Sequence, residues 1–80
     1  MSATHMDEAT AAAIRELPPS AKLVAKVLEH NDALTQRELA ERTLLPDRTV
    51  RYALSRLEEA DAVTARFSVT DARKQVYSLN

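Results

Sequence analysis

The 80-residue chain has no glycine, no cysteine and no tryptophan, and its aromatic residues are one phenylalanine and two tyrosines. Each absence removes a class of function. Without glycine there is no backbone loop of the kind that cradles a phosphate group, and every tight turn must rely on Asn, Asp, Pro or a strained residue. Without cysteine there are no disulfides and no thiolate metal sites, which fits a reducing interior. With so few aromatics there is no Arg-aromatic platform for stacking unpaired RNA bases beyond Tyr52. No apolar run approaches the roughly 18 residues that span a bilayer, and the N-terminus lacks a basic segment followed by a hydrophobic stretch. A soluble, cytoplasmic protein without membrane contact is therefore expected. The length gives room for one domain with a core of about fifteen side chains, too small for a second ligand-binding domain or an enzyme's enclosed pocket.

What is present is a globular mixture, 45% hydrophobic and 29% charged, with a formal net charge of −1 and a pI near 6.1. That sum is not the bulk signature of a nucleic-acid binder, but its distribution is uneven. Residues 1–34 hold three Lys/Arg against five Asp/Glu, and residues 35–80 hold eight against seven; within 48–57 there are three Arg and no acid. A basic face sits on a nearly neutral body.

The order of elements follows from periodicity and punctuation. Residues 1–5 form an unstructured start. From Asp7 to Leu17 the helix propensity is high, and Met6, Ala9, Ala13, Ile14 and Leu17 make an apolar stripe that Pro18-Pro19 ends. Ser20 is a suitable N-cap for a second helix with Leu23, Val24, Val27 and Leu28 as its stripe, closing near His30 and Asn31-Asp32. Ala33-Leu34 supplies a short strand. Thr35 and Glu38 stand at capping-box spacing and start a helix over 35–43. Leu44 to Asp47 turns the chain, and helix 47–60 keeps Val50, Ala53, Leu54 and Leu57 on one side. Then Val63, Ala65, Phe67 and Val69 alternate with Thr64, Arg66, Ser68 and Thr70, and Tyr77 and Leu79 alternate with Val76 and Ser78 across the polar stretch 71–75. The expected fold is mainly α with a small β-hairpin: a winged helix-turn-helix over 20–80, with an N-terminal tail and extra helix over 1–19 that either serves as a dimerisation element or folds back onto the chain's own core against Val24 and Leu28.

Placing Val50, Leu54 and Leu57 inward puts Arg48, Tyr52 and Ser55 on the centre line of the outer face, with Arg51 and Arg56 flanking. A major groove about 12 Å wide admits one helix, whose N-terminal turns reach the base edges, so Arg48, Thr49, Arg51 and Tyr52 are the expected base readers, Tyr52 being able also to stack on a sugar or thymine methyl or to bond phosphate through its hydroxyl, and Arg56 is the expected phosphate contact. Arg suits this task because its planar fork can bond guanine O6 and N7 together. Arg66, Arg73 and Lys74 place charge on the hairpin, within reach of a minor groove or backbone, although charge also protects an exposed edge strand. The bland account of the helix arginines is a solvated face with Asp47 and Arg51 paired at i, i+4. Arg37 with Glu41 and Glu38 with Arg42 are expected as ordinary surface pairs. His5 and His30 have no partners at metal-ligand spacing, and no nucleophile context surrounds any Ser, so no cofactor, metal or catalytic step is expected.

The run Glu38-Leu39-Ala40-Glu41-Arg42, then Leu45-Pro46-Asp47-Arg48-Thr49-Val50-Arg51 and Leu54-Ser55-Arg56-Leu57-Glu58-Glu59-Ala60, resembles the winged helix-turn-helix of MarR-type transcriptional regulators. Asp71-Ala72-Arg73, followed by Tyr77 and Leu79, is similar to that family's wing motif. The resemblance covers about residues 20–79 and implies sequence-specific binding of double-stranded DNA as a homodimer, the second helix of the motif in the major groove and the wing Arg near the minor groove. The chain departs from the pattern where the family usually has Gly, at Leu44, Asp61 and Ala72. It also lacks the family's extra helices for dimerisation and effector binding, so an effector site within the chain is not expected. A left-handed Leu44 would be unfavourable by about 1 kcal/mol, which predicts a looser turn. The competing reading is a winged-helix module for protein contacts within a larger complex, which the near-neutral charge would suit.

Overall fold

The computed structural model describes residues 7–80, in the order α1 (Glu8–Arg15), α2 (Pro19–Glu29), β1 (Leu34–Thr35), α3 (Gln36–Thr43), α4 (Asp47–Glu59), β2 (Val63–Phe67) and β3 (Gln75–Leu79). His5, Met6 and the expected unstructured start lie outside the described residues. The strands form one antiparallel sheet in the order β1-β3-β2, with Leu34 opposite Tyr77 and Ala65 opposite Tyr77 on its other side. This is the mainly helical winged helix-turn-helix architecture anticipated from the sequence.

Local chemistry sets the helix starts. Asp7 caps α1 by accepting from the Thr10 amide at 2.8 Å, a bond that holds its carboxyl below the usual range. The capping box of α3 is complete: Thr35 Oγ1 accepts from the Glu38 amide at 3.1 Å, and Glu38 Oε1 accepts from the Thr35 amide at 2.9 Å. α2 begins two residues earlier than Ser20 as its N-cap predicts. Pro18 is its N-cap and Pro19 its first residue, where the missing N–H of proline removes no helical bond and its fixed φ favours entry.

α3 and α4 both end in left-handed residues, and neither is glycine. Leu44 has φ 62° and Asp61 φ 58°. The Leu44 turn is not loosened: its amide bonds the Ala40 carbonyl at 2.9 Å, and Thr43 Oγ1 bridges from the Leu39 carbonyl at 2.7 Å to the Leu45 amide at 3.3 Å. After α4, the Asp61 amide reaches the Glu58 carbonyl at 3.0 Å and the Ala62 amide reaches the Leu57 carbonyl at 2.8 Å, the paired bonds of a Schellman ending. Ala72 does not adopt a positive φ, so the third expected glycine-like position does not exist. The tip is instead a turn closed by the Lys74 amide on the Asp71 carbonyl at 2.9 Å.

The core lies between α2, α3, α4 and the base of the sheet. Val24, Leu28, Leu39, Val50 and Leu57 are fully enclosed, and the predicted stripe of α4 is inward as a whole. Two other stripes are turned from their expected positions. In α2 the buried residues are Ala21, Val24, Ala25 and Leu28, while Leu23 is exposed, because small alanines let α2 approach its neighbours along that side. In α1 Thr10 and Ile14 are buried and Ala9 is exposed; Ile14 folds back into the chain's own core, and a stripe of alanines gave the helix little reason to prefer another rotation. The inward face of β2 also leaves the core before its end. Val63 is buried and Ala65 half-buried, but Phe67 is 63% exposed and Val69 fully exposed, because the hairpin runs beyond the helices that cover its base. β1 begins at Leu34, not Ala33.

Candidate nucleic-acid interface

α4 owes its orientation to the contrast between its two sides. Val50, Ala53, Leu54 and Leu57 anchor it against the core, and Arg48, Arg51, Tyr52 and Ser55 are thereby exposed on the opposite side, with Thr49 half-buried at its edge. Burial of the aliphatic stripe contributes about 25 cal/mol per Å² of apolar surface removed from water and leaves the helix no equivalent rotation. The i, i+4 pair of the solvated-face account does not form: among the described residues neither Arg48 nor Arg51 enters an ion pair, and Asp47 leaves Arg51 uncompensated.

Arg56 is differently placed. Its Nη1 donates to the Tyr52 hydroxyl at 2.9 Å, its Nε lies 3.5 Å from Glu59 Oε1, and its guanidinium carbon stands 5.9 Å from the centre of the Tyr52 ring. It is half-buried, whereas Arg48 and Arg51 are exposed. Glu59 is drawn into this group.

Asp71 organises the wing tip. One of its carboxylate oxygens accepts from the Arg73 amide at 3.0 Å and from Arg73 Nε at 3.4 Å, while the Arg73 side chain stays 92% exposed. Ser68 and Thr70 join hydroxyls at 2.9 Å across the approach to the tip. Lys74 lines the cleft that the first turn of α3 also lines. The Glu38 carboxyl is held below its usual range chiefly by the Thr35 amide, with Arg42 and Lys74 adding to the effect. Arg66 is exposed on the outer face of β2 and enters no ion pair among the described residues.

Two residues given no binding role from the sequence belong to the same surface. Gln36 Nε2 reaches the Asp47 carbonyl at 3.4 Å and so bridges the start of α3 to the start of α4. Gln36 and Arg37 also line an open cleft of about 560 Å³ between the start of α3 and the wing, with Ser68, Thr70, Lys74 and Gln75 opposite. Arg37 does pair with Glu41, at 3.8 Å, but remains exposed. The position of Gln36 directly after the cap Thr35 was the available signal; it gains meaning only when α3 and α4 are set against each other.

The cleft joins the wing to the start of α3, with Glu38 and Glu41 beside the donors and cations of its lining, and Gln36 links the start of α3 to the start of α4; among the described residues no group of His, Cys, Asp and Glu is arranged to hold a metal ion. No described helix is long and apolar enough to cross a membrane.

Comparison with known proteins adds a sequence profile described as MarR family, which matches residues 15–74. No curated protein matches. Among solved structures the fold is similar to YusO from Bacillus subtilis (22% identity, TM-score 0.75, covering 89% of this chain and 52% of that one). It is similar to BpsR from Bordetella bronchiseptica, whose DNA binding is regulated by 6-hydroxynicotinic acid (20%, 0.77, 90% and 53%). It also matches the PcaV transcriptional regulator from Streptomyces coelicolor, solved with its natural ligand (22%, 0.77, 90% and 52%). The chain spans about half the length of these proteins, and the likeness to them is one of fold.

Proposed function

The chain belongs to the MarR family, and from that premise we propose that it is a sequence-specific, double-stranded-DNA-binding transcriptional regulator acting in the cytoplasm. α4 lies in the major groove, where Arg48, Thr49 and Arg51 meet base edges and Tyr52, Ser55 and Arg56 stand over the groove wall. The wing, through Arg66, Arg73 and Lys74, touches the minor groove or the backbone. The observation that carries the reading is the pair of exposed, uncompensated arginines at the start of a helix whose opposite face is locked into the core. A solvated face would gain from neutralising Arg51 with Asp47, four residues earlier; here the charge is left available.

The reading includes a homodimer, because one such motif reads only a short site, and two copies about 34 Å apart along the duplex would combine their affinities. With Thr10 and Ile14 turned inward, the described part of α1 that remains for a partner is the side of Ala9 and Ala12. Sedimentation at tens of micromolar should give a dimer.

The deciding experiment is the salt dependence of binding to mixed-sequence duplex DNA. Release of counterions by phosphate contacts makes the logarithm of the binding constant fall linearly with the logarithm of salt concentration, by nearly one for each phosphate engaged. A protein-contact module would show neither the affinity nor the slope, and that result would replace this reading.

A further inference from the structure

Tyr52 and Arg56 are adjacent on the exposed face of α4, and the hydrogen bond between them has a definite polarity. A guanidinium can only donate, so the Tyr52 oxygen accepts from Arg56 Nη1 at 2.9 Å. The one proton of the phenol is then directed away from Arg56. Among the described residues it meets no acceptor, and the ring is 48% exposed. Glu59 Oε1, 3.5 Å from Arg56 Nε, holds the guanidinium from its other side. The three residues thus run along one side of the helix in an order that fixes which atom offers a proton outward.

We propose that Arg56 is a positioning residue and that Tyr52 is the group it positions: a phenol set to donate its proton to a backbone phosphate oxygen of duplex DNA. The inference rests on the DNA-binding reading above and deepens it. The ligand chemistry follows from the surroundings. An outward O–H beside a guanidinium selects an acceptor, and one bearing negative charge; among the acceptors on a duplex, the phosphate oxygens alone carry a full charge. Arg48 lies one helical turn nearer the N-terminus, where base edges are reached, so Tyr52 falls toward the groove wall. Arg56, with Nε and Nη1 committed within the helix and its side chain half-buried, acts through Tyr52, and Glu59 keeps its guanidinium at the phenol.

The test uses the full chain and a duplex enriched by it from a random pool. Tyr52→Phe should weaken binding about tenfold, the effect of one hydrogen bond to a charged group, and leave the salt slope unchanged because no charge is removed. Arg56→Met should weaken binding to a similar degree, and the double variant should be no weaker than the worse single one. Replacing single phosphates by neutral methylphosphonates should reveal one position whose penalty in the parent disappears in Tyr52→Phe. Additive losses, or a fall of the salt slope by about one in Arg56→Met, would mean that Arg56 meets a phosphate itself and would overturn the proposal while leaving DNA binding intact. A parent chain without salt-dependent duplex binding would overturn both. Thermal melts of the variants, which are expected to match the parent because both side chains lie on the outer face, separate these outcomes from loss of fold.

Discussion

The helical body and the distal half of the wing obey different rules, although a single strand passes through both. At its start β2 places Val63 in the core; four residues on, Phe67 is mostly exposed, and Val69 beyond it is fully so. The alternation of apolar and polar residues is the same throughout. What changes is the covering layer: α2 and α4 stand over the base of the sheet, and among the described residues no helix stands over its end. In the body a side chain acts through the volume it fills. In the distal wing it acts through what it presents, and the bonds of Asp71 to Arg73 fix a shape without burying anything.

That contrast is broken most directly by removing volume from the body. Leu54→Ala should lower stability by about 2–5 kcal/mol, a large share of what a domain of this size possesses. Chemical denaturation with far-UV circular dichroism measures it, and a midpoint equal to the parent's would place α4 in a different rotation. Leu54 is 2% exposed and has no route to relief other than a cavity.

Next in size is the loss of presentation on the body's own outer face. Arg48→Ala with Arg51→Ala should leave the melt unchanged and remove preference for a selected duplex over a scrambled one, each contact contributing about 1–3 kcal/mol of discrimination. Retained discrimination in the double variant would shift the reading of bases to other residues.

The start of α3 stands at the junction of the two regions, since Glu38 answers both to Thr35 and to Lys74. Thr35→Ala should lower stability by about 1 kcal/mol through loss of the cap. Because the folded carboxyl of Glu38 is held below its usual range, its contribution is present above the ordinary glutamate range and is lost as pH falls through the depressed value. Glu38→Gln should flatten that part of the acid limb in a series of melts from neutral to acidic pH; an unchanged limb would assign acid sensitivity to other carboxyls, Asp7 among them.

The smallest effects on stability belong to the wing. Phe67→Ser and the pair Arg73→Ala, Lys74→Ala should each shift stability by no more than about 0.5 kcal/mol. The charge pair should nevertheless lower the salt slope of DNA binding by about one for each phosphate that the wing no longer engages. A strongly destabilised Phe67→Ser would show that the wing is covered in solution, by a second copy or another partner, and the contrast between body and wing would disappear.

Much of this was legible in the residues. The capping box of Thr35 and Glu38, the inward stripe of Val50, Ala53, Leu54 and Leu57, and the hairpin are local patterns, and each stands as its spacing indicates. The candidate arginines of α4 were legible for the same reason: once one face of a helix is apolar, the opposite face is known. The rotation of α1 and α2 was less legible because alanine fits either side of a helix. The partners of Arg56 were missed because Tyr52, Ser55 and Glu59 all lay within reach and only a chosen rotamer decides among them.

The sequence by itself determined the elements, their order and the polarity of α4, because hydrophobic period, capping and proline act over distances of a few residues. It determined as well that a glycine-free chain would have to put other residues at its left-handed turns, though not that Leu44 and Asp61 would suffice and Ala72 would not be needed. Only the tertiary structure decided how far the helices cover the sheet, and so where β2 passes from core to solvent. It alone brought Gln36 to the start of α4 and set Lys74 on the same cleft as the first turn of α3. Those relations join residues far apart in the chain, and they are fixed by the packing of α2, α3 and α4 around one core, which no short stretch of sequence contains.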